Sequence, residues 1–547
     1  MSPRLLALLP LLLLAPACTV VHNDTPNGTT SLSVQGLYRK PATGATRPTR
    51  YCWAEVYDLN AGTVAADGYL DGNGQRAFTV PAGIPLQVRI YARVEVPGTA
   101  PDFTLRGSVK NAALPASFTD TNTFNALQDV SVTSDVGSGS SVSVTAEADA
   151  QQRAGAFNAV DQMVAFGNGM HALEPSLKLP NLHAFFTSTG NGTAYPILAY
   201  DGTSHPLVQA SGRAVFTLPI AGNASGAAST NNDLGDDAVL LEAYSHLLTA
   251  DRSYPADGSG PGSILRRDND DAWVDRDVQS EPTIAFTDGF CDFLVGAFRA
   301  LDRASAPERI TDTYVASNGS AAISTFDLSR HDQFTRVAGQ GEFYRGSVAI
   351  SLWQIWHNYA LGGGTTLGIQ ALWGATLRNQ SGEYLNAPLG AYPTYLVGLR
   401  SLLGASSPGW SAALFELSQE DVPNPDAAYF AGNTLWIQEP VLPFTATGSL
   451  VAYAPSANLY YDRNQAATYR FVHGGGPRTL QVTPTGGQDV FLELIGPAGV
   501  VAQSLNSQGV GARTLSFTTL AAGTYGVRVR VGYTTANATA SYTLTVN

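Results

Sequence analysis

Three side chains in this sequence have types and a spacing that suit metal chemistry. Glu242 and His246 are four residues apart, which places them on one face of a helix, and Asp288 opens a second apolar, helix-like segment. One imidazole and two carboxylates form a ligand set that proteins offer to zinc, manganese or iron. The sequence therefore allows one divalent metal, zinc or another, at these residues.

A second interpretation of the same residues needs no metal. A glutamate and a histidine at positions i and i+4 of a helix form a hydrogen-bonded pair. In this interpretation Asp288 caps its own helix near the N-terminus, where the helix dipole stabilises a negative charge. The residue types alone do not choose between a metal site and this local pairing, and both interpretations stay open.

Two segments around these residues carry a family resemblance. Residues 236–248 read DDAVLLEAYSHLL, and residues 282–294 read PTIAFTDGFCDFL. They resemble the two ligand helices of secreted zinc metallopeptidases of the HExxH…E (gluzincin) type. Residues 341–353 resemble a later helix of that family, which packs beneath the site.

The resemblance implies a zinc motif that is altered at its metal-ligand and general-base positions. His246 matches one ligand of the family, while Glu242 stands at the position of the other histidine and Asp288 at that of the ligating glutamate. Ala243 stands where the family has its general base. Because loss of a positioned general base costs roughly two to four orders of magnitude in rate, we predict no catalytic residue and a loss of peptidase activity. The alternative is an active metal-dependent hydrolase that uses the unusual Glu242, His246 and Asp288 set.

The elements that hold these residues form the middle of the chain. Apolar residues recur at helical spacing in several segments between residues 151 and 440, with a few strand-like runs between them. We predict a mostly α metallopeptidase-like domain over 151–440.

Strand patterns flank this helical region on both sides. Residues 31–150 alternate between apolar and polar residues in short runs, and they resemble the transthyretin-like or carboxypeptidase-regulatory β-sandwiches. Residues 441–547 include DVFLEL, AGTYGVRV and YTLTV, and they resemble the bacterial pre-peptidase C-terminal domain, another β-sandwich. The predicted fold class is therefore multidomain α+β, with a β-sandwich at each end.

The N-terminal segment predicts export. It carries one arginine and then a largely apolar run that is too short to span a bilayer, as in a cleaved signal peptide. Its ending, Ala15-Pro16-Ala17-Cys18, resembles the lipobox of bacterial lipoproteins. This resemblance implies that residues 1–17 are removed, that Cys18 is lipidated and that residues 18–30 form a tether. An ordinary secretory signal is the alternative.

Composition excludes several function classes. The formal net charge of -13 disfavours nucleic acid as a partner, because Lys and Arg would have to supply the phosphate contacts. None of the three lysines follows a glycine, which excludes a Gly-Lys-Ser/Thr phosphate loop. Three cysteines are too few for a disulfide framework, and Cys52 and Cys291 are either paired or isolated thiols.

Together these features predict an exported lipoprotein, anchored to a membrane through its N-terminal lipid and facing the periplasm or the cell surface. Its predicted activity is the binding of an envelope or extracellular polymer, either protein or glycan, rather than hydrolysis.

Overall fold

A computed structural model of the protein describes these residues: 28–97, 103–112, 129–136, 139–147, 152–175, 179, 181–186, 197–198, 215–219, 233–253, 282–302, 304–315, 321–331, 344–358, 366–376, 392–422, 424, 438, 440–451, 466–485, 490–496, 499–504, 511–531 and 539–547. The predicted signal peptide, lipidation site Cys18 and most of the tether lie outside the described residues. No helix in the described part of the chain is long and apolar enough to cross a membrane.

Alternating residues in the first part of the chain form nine described strands. They are β1 (Thr29–Arg39), β2 (Thr46–Pro48), β3 (Cys52–Asp58), β4 (Thr63–Tyr69), β5 (Gln75–Pro81), β6 (Leu86–Pro97), β7 (Phe103–Asn111), β8 (Ser131–Val136) and β9 (Ser141–Ala146). Strand β1 pairs with β2 and β5 in antiparallel fashion and with β9 in parallel fashion. Strands β3, β4, β6, β7 and β8 belong to a second, larger sheet.

The larger sheet continues past residue 150. Its further strands are β10 (Asn181–Phe186), β11 (Ile197–Leu198) and β12 (Val215–Pro219), and β10 pairs in parallel with both β7 and β12. The described strands follow the order β11-β12-β10-β7-β6-β3-β4, with β8 paired to β6. The domain boundaries remain predictions, but this sheet contains strands from both sides of residue 150.

Seven described helices form the central part of the chain. They are α1 (Arg153–Leu173), α2 (Asp237–Ser253), α3 (Pro282–Leu301), α4 (Arg345–Asn358), α5 (Thr366–Gly374), α6 (Tyr392–Leu403) and α7 (Pro408–Gln419). A β-hairpin, β13 (Arg309–Val315) with β14 (Ala321–Asp327), follows α3.

Helix α1 packs on the buried face of the larger sheet. A side chain at Gly107 of β7 would meet the sulfur of Met163, and one at Gly167 of α1 would meet Leu105, so small residues permit the close approach. Helix α3 lies among α1, α2 and α4 and buries nearly its whole circumference. The strands and helices share one hydrophobic core, which places the ligand-like residues in the interior of this body.

The last part of the chain forms two four-stranded antiparallel sheets. Their strands are β15 (Phe444–Val451), β16 (Ala466–His473), β17 (Gly476–Thr485), β18 (Val490–Gly496), β19 (Gly499–Ser504), β20 (Arg513–Leu520), β21 (Gly523–Val531) and β22 (Thr539–Val546). The sheet orders are β15-β22-β17-β20 and β16-β21-β18-β19, and both sheets contribute to one hydrophobic core. Tyr469 and Tyr542 join the two sheets through a 2.8 Å hydrogen bond between their hydroxyls.

The coarse prediction of a mixed α/β chain with a helical centre is confirmed. The strands at both ends are compatible with the predicted β-sandwiches.

Candidate functional site

Two helices, α2 and α3, bring the predicted residues together. Glu242 and His246 lie one turn apart on α2, with 3.7 Å between Glu242 Oε1 and His246 Nε2. Asp288 lies in the second turn of α3, since that helix begins at Pro282, and is therefore not its N-cap. The predicted shared helix face of Glu242 and His246 is confirmed, and all three side chains are buried.

A fourth residue, Arg345 at the start of α4, lies among these side chains. Its Nε donates to Asp292 Oδ2 at 2.7 Å, and its Nη2 donates to Asp292 Oδ1 at 3.0 Å. Nη2 also donates to Glu242 Oε1, and Nη1 lies 4.0 Å from Asp288 Oδ2. The guanidinium therefore joins α2, α3 and α4 through three carboxylates, which together with Arg345 and His246 we call the Arg345 cluster.

The Arg345 cluster lies out of contact with bulk water. Arg345 and Glu242 are each 2% exposed, and Asp292 is fully buried. Burial lowers the pKa of the Arg345 guanidinium to about 9, so it still carries its charge at neutral pH. A buried charge is tolerated when it is paired and hydrogen-bonded, and the carboxylates of Glu242 and Asp292 supply that pairing.

The fit of these residues to a metal ion follows from the same contacts. Glu242 Oε1 accepts a hydrogen bond from the Arg345 guanidinium, and this buried positive charge beside the carboxylate would repel a divalent cation. Among the described residues, no group of three or more His, Cys, Asp or Glu side chains is placed to hold a metal ion. The arrangement of Glu242, His246 and Asp288 therefore does not fit a metal ion, and the metal assignment stays a prediction from the sequence.

The position of the family's general base offers no acid–base group. Ala243 is fully buried in α2. The neighbouring Ser245 donates its hydroxyl to the backbone carbonyl of Leu241 at 2.8 Å, one turn earlier in the same helix. Neither of these two side chains could take the place of a general base beside His246.

A close contact between α3 and α4 holds Arg345 in place. A Cβ atom at Gly289 would stand 2.6 Å from the backbone oxygen of Arg345 and 2.6 Å from Cβ of Val348. Only glycine allows the two helices to approach this closely, and Gly289 follows Asp288 directly. The glycine therefore sets the distance between the carboxylates of α3 and the guanidinium of α4.

A second polar cluster lies at the end of α7. His331 Nδ1 is 2.7 Å from Glu420 Oε1, and His331 Nε2 is 2.9 Å from Glu416 Oε2. The hydrogen bond with Glu420 is the largest cause of a raised His331 pKa, while burial raises the pKa of Glu420 itself. Both ring nitrogens of His331 face carboxylates, and this arrangement favours the protonated imidazole.

Sequence reasoning missed Arg345 and Asp292. Both lie inside segments that carry the family resemblance, but the resemblance directs attention to the ligand positions. A usable signal was present: Asp292 is four residues after Asp288 in an otherwise apolar helix, and such a buried carboxylate needs a cationic partner.

Cys52 and Cys291 are both buried, and neither forms a disulfide bond. Of the two alternatives for these cysteines, the structure has the one without a Cys52–Cys291 disulfide. Burial raises the pKa of the Cys52 thiol well above its usual value, which keeps it protonated and unreactive.

Comparisons with known proteins give weak similarities. No protein-family model matches the chain, and no curated protein sequence matches it either. The pre-peptidase C-terminal domain of a collagenase from Bacillus anthracis is 16% identical, with a TM-score of 0.16, over 20% of this chain and 94% of that chain. PliG of Aeromonas hydrophila, a periplasmic inhibitor of g-type lysozyme, is 17% identical, with a TM-score of 0.15, over 20% of this chain and 96% of that one.

Proposed function

We propose that the protein is an exported, lipid-anchored surface protein that binds an envelope or extracellular polymer and performs no peptide hydrolysis. In this proposal the helical part of the chain is a metallopeptidase-like scaffold that has lost its chemistry. The C-terminal strands act as a pre-peptidase C-terminal-type β-sandwich, which binds or targets rather than catalyses.

The observation that carries the proposal is the hydrogen bonding of Arg345 to Glu242 and Asp292. A guanidinium that is charged at neutral pH supplies, among these carboxylates, positive charge where a peptidase would have its divalent metal. Unlike a metal, it cannot lower the pKa of a bound water or polarise a carbonyl as a Lewis acid. Ala243 removes the second requirement of the reaction, since it cannot accept a proton from water.

The first test is the metal content and peptidase activity of the purified mature chain. We expect less than stoichiometric zinc, manganese and iron by elemental analysis, and no chelator-sensitive cleavage of casein. One metal ion per chain, lost in Glu242→Ala together with casein cleavage, would overturn the proposal.

A matched control separates loss of metal from loss of folding. Glu493 is a buried glutamate of β18 that pairs with Arg528 of β21, at 2.5 Å, far from the Arg345 cluster in sequence. Glu493→Ala removes a carboxylate of similar burial, so it should disturb folding without touching a metal site. Metal content that falls in both variants would reflect unfolding, whereas a fall in Glu242→Ala alone would identify a real site.

A further inference from the structure

One face of the larger sheet carries aromatic rings that are not part of the Arg345 cluster. Side chains of β3 alternate, so that Cys52, Ala54 and Val56 are buried while Trp53, Glu55 and Tyr57 point to the other side and remain partly exposed. Tyr69 of β4 and Tyr91 of β6 lie on the same outward side and are also partly exposed. We call this outward side of β3, β4, β6 and β8 the aromatic face.

The rings of the aromatic face are held in fixed positions. Trp53 and Tyr69 are directly opposite each other on β3 and β4, with ring centroids 4.9 Å apart in an edge-to-face arrangement. Glu55 accepts hydrogen bonds from the Trp53 indole at 3.2 Å and from the Tyr91 hydroxyl at 2.8 Å. Because these contacts already restrict the rings, a ligand would find a preformed surface and would lose less free energy in ordering it.

The fourth ring is capped by a cation. The Arg89 guanidinium lies over the Tyr57 ring, 3.6 Å from its centroid, and its Nε donates to Gln87 Oε1 at 2.9 Å. The Arg89 guanidinium therefore interacts with an aromatic ring and a side-chain amide of the protein itself.

The other two arginines beside this face are paired with carboxylates of the protein. Arg106 donates to Glu95 at 2.7 Å, and Arg93 donates to Asp129 at 2.8 Å. Glu55 takes its donors from Trp53 and Tyr91, as described above. A polyanion such as a nucleic acid would need arginines that are not already neutralised, so the charge pattern disfavours a polyanionic partner.

We infer that the aromatic face is a binding surface for a neutral glycan chain. Sugar rings combine an apolar face of C–H groups with hydroxyls at the edge, which suits partly exposed aromatic rings with hydrogen-bonding groups between them. Four adjacent strands give a surface about 14 Å wide, enough for a short run of sugar units. The inference rests on the proposed function only in taking polymer binding as the activity, and it names the polymer and the surface.

The experiment uses the purified mature chain and an array of neutral oligosaccharides that includes chitin and β-glucan oligomers, with poly(dT) and polygalacturonate as polyanions. We expect saturable binding to at least one neutral glycan, and roughly tenfold weaker binding in Trp53→Ala, which removes a ring and its indole donor. Tyr91→Phe keeps the ring and removes one hydrogen bond, so it should weaken binding by a smaller factor.

Phe415→Ala is the matched control, because Phe415 is a 55% exposed aromatic residue of α7 outside the aromatic face. It should bind glycan as the wild type does. Thermal unfolding of each variant would show whether the fold is intact, and Trp53→Phe provides a second test that retains a ring if Trp53→Ala fails to fold.

Three outcomes would overturn the inference: no binding to any neutral glycan, preference for the polyanions, or unchanged affinity in folded Trp53 variants. A chain that binds a protein polymer instead would overturn this inference and leave the proposed function standing. Chelator-sensitive casein cleavage would overturn the proposed function and leave glycan binding at the aromatic face standing.

Discussion

Arg345 donates hydrogen bonds to both carboxylate oxygens of Asp292, through Nε at 2.7 Å and Nη2 at 3.0 Å. The two residues lie on neighbouring helices and are 53 positions apart in the chain. A two-point contact between a planar guanidinium and a carboxylate fixes both distance and orientation, so this pair defines how α4 docks on α3.

Removal of the guanidinium should destabilise the helical part of the chain strongly. Arg345→Met keeps an unbranched side chain of similar length but leaves the buried carboxylates of Glu242 and Asp292 without their cation. Loss of one partner from a buried ion pair costs about 3–5 kcal/mol, and we expect a loss of this size in urea denaturation followed by tryptophan fluorescence. Arg309→Met is the control, because Arg309 is 63% exposed and 3.8 Å from Asp327; its effect should stay below about 1 kcal/mol. Equal stability of Arg345→Met and the wild type would refute a structural role for the guanidinium.

The two aspartates of α3 should couple to Arg345 to different extents. Asp292 makes the two-point contact, whereas Asp288 Oδ2 lies 4.0 Å from Nη1. Double-mutant cycles that combine Arg345→Met with Asp292→Asn or with Asp288→Asn should give a larger coupling free energy for Asp292, within the range of about 0.5–3 kcal/mol seen for contacting residues. The reverse order would mean that the carboxylates of α3 are arranged differently around the guanidinium.

Gly289→Ala should push α4 away from α3. The added methyl group would meet the backbone of Arg345, which cannot rotate away as a flexible side chain can. We expect a loss of about 1–3 kcal/mol, as for other overpacked cores, measured as a lower urea midpoint. Gly474→Ala is a suitable control, because a Cβ atom at Gly474 would meet nothing within 4 Å. An unchanged midpoint in Gly289→Ala would show that the two helices tolerate a wider spacing.

Parts of this arrangement could be predicted from the sequence, because local patterns encode them. The four-residue spacing of Glu242 and His246 implies a shared helix face, and strand alternation in residues such as 52–58 implies one buried and one exposed side. Arg345 could not be placed in the same way. Its partners Glu242 and Asp292 are 103 and 53 residues away, and only the packing of three helices brings them within hydrogen-bonding distance.

The extension of the larger sheet across residue 150 could not be predicted for a similar reason, because it also depends on residues far apart in the chain. Strand β10 reads NLHAFF and is buried along its whole length, which fits a strand inside a parallel pairing as well as one in a separate unit. Its partner β7 lies more than 70 residues earlier, and short-range periodicity carries no information about that pairing.

The contacts of His331 with Glu416 and Glu420 should make the free energy of unfolding depend on pH near neutrality. The folded protein raises the His331 pKa above its unfolded value of about 6.5, so the imidazolium stabilises the fold fully below that pH. This contribution is lost as pH rises through the folded pKa. The raised pKa of Glu420 acts in the same direction, since the folded state holds the proton more tightly than the unfolded state. The wild-type urea midpoint should therefore fall as the pH rises above about 6.5.

His331→Gln retains hydrogen-bonding capacity without a titrating ring, so it should flatten that pH dependence. Glu416→Gln leaves one carboxylate beside the imidazole and should give an intermediate slope. A wild-type midpoint that rises over this pH range would contradict the predicted sign.

Cys18→Ser should release the protein from the membrane of an expressing bacterium. Lipid modification at Cys18 would supply two or more acyl chains, which together hold a protein stably at a bilayer, whereas serine cannot accept them. We expect the wild type in the membrane fraction after cell disruption and the variant outside it, with incorporation of a labelled fatty acid into the wild type alone. Cys52→Ser is the matched control, because Cys52 is a buried free thiol of β3 and its loss should leave fractionation unchanged. Recovery of the unlabelled wild type in the soluble fraction, cut after Ala17, would instead identify an ordinary secretory signal.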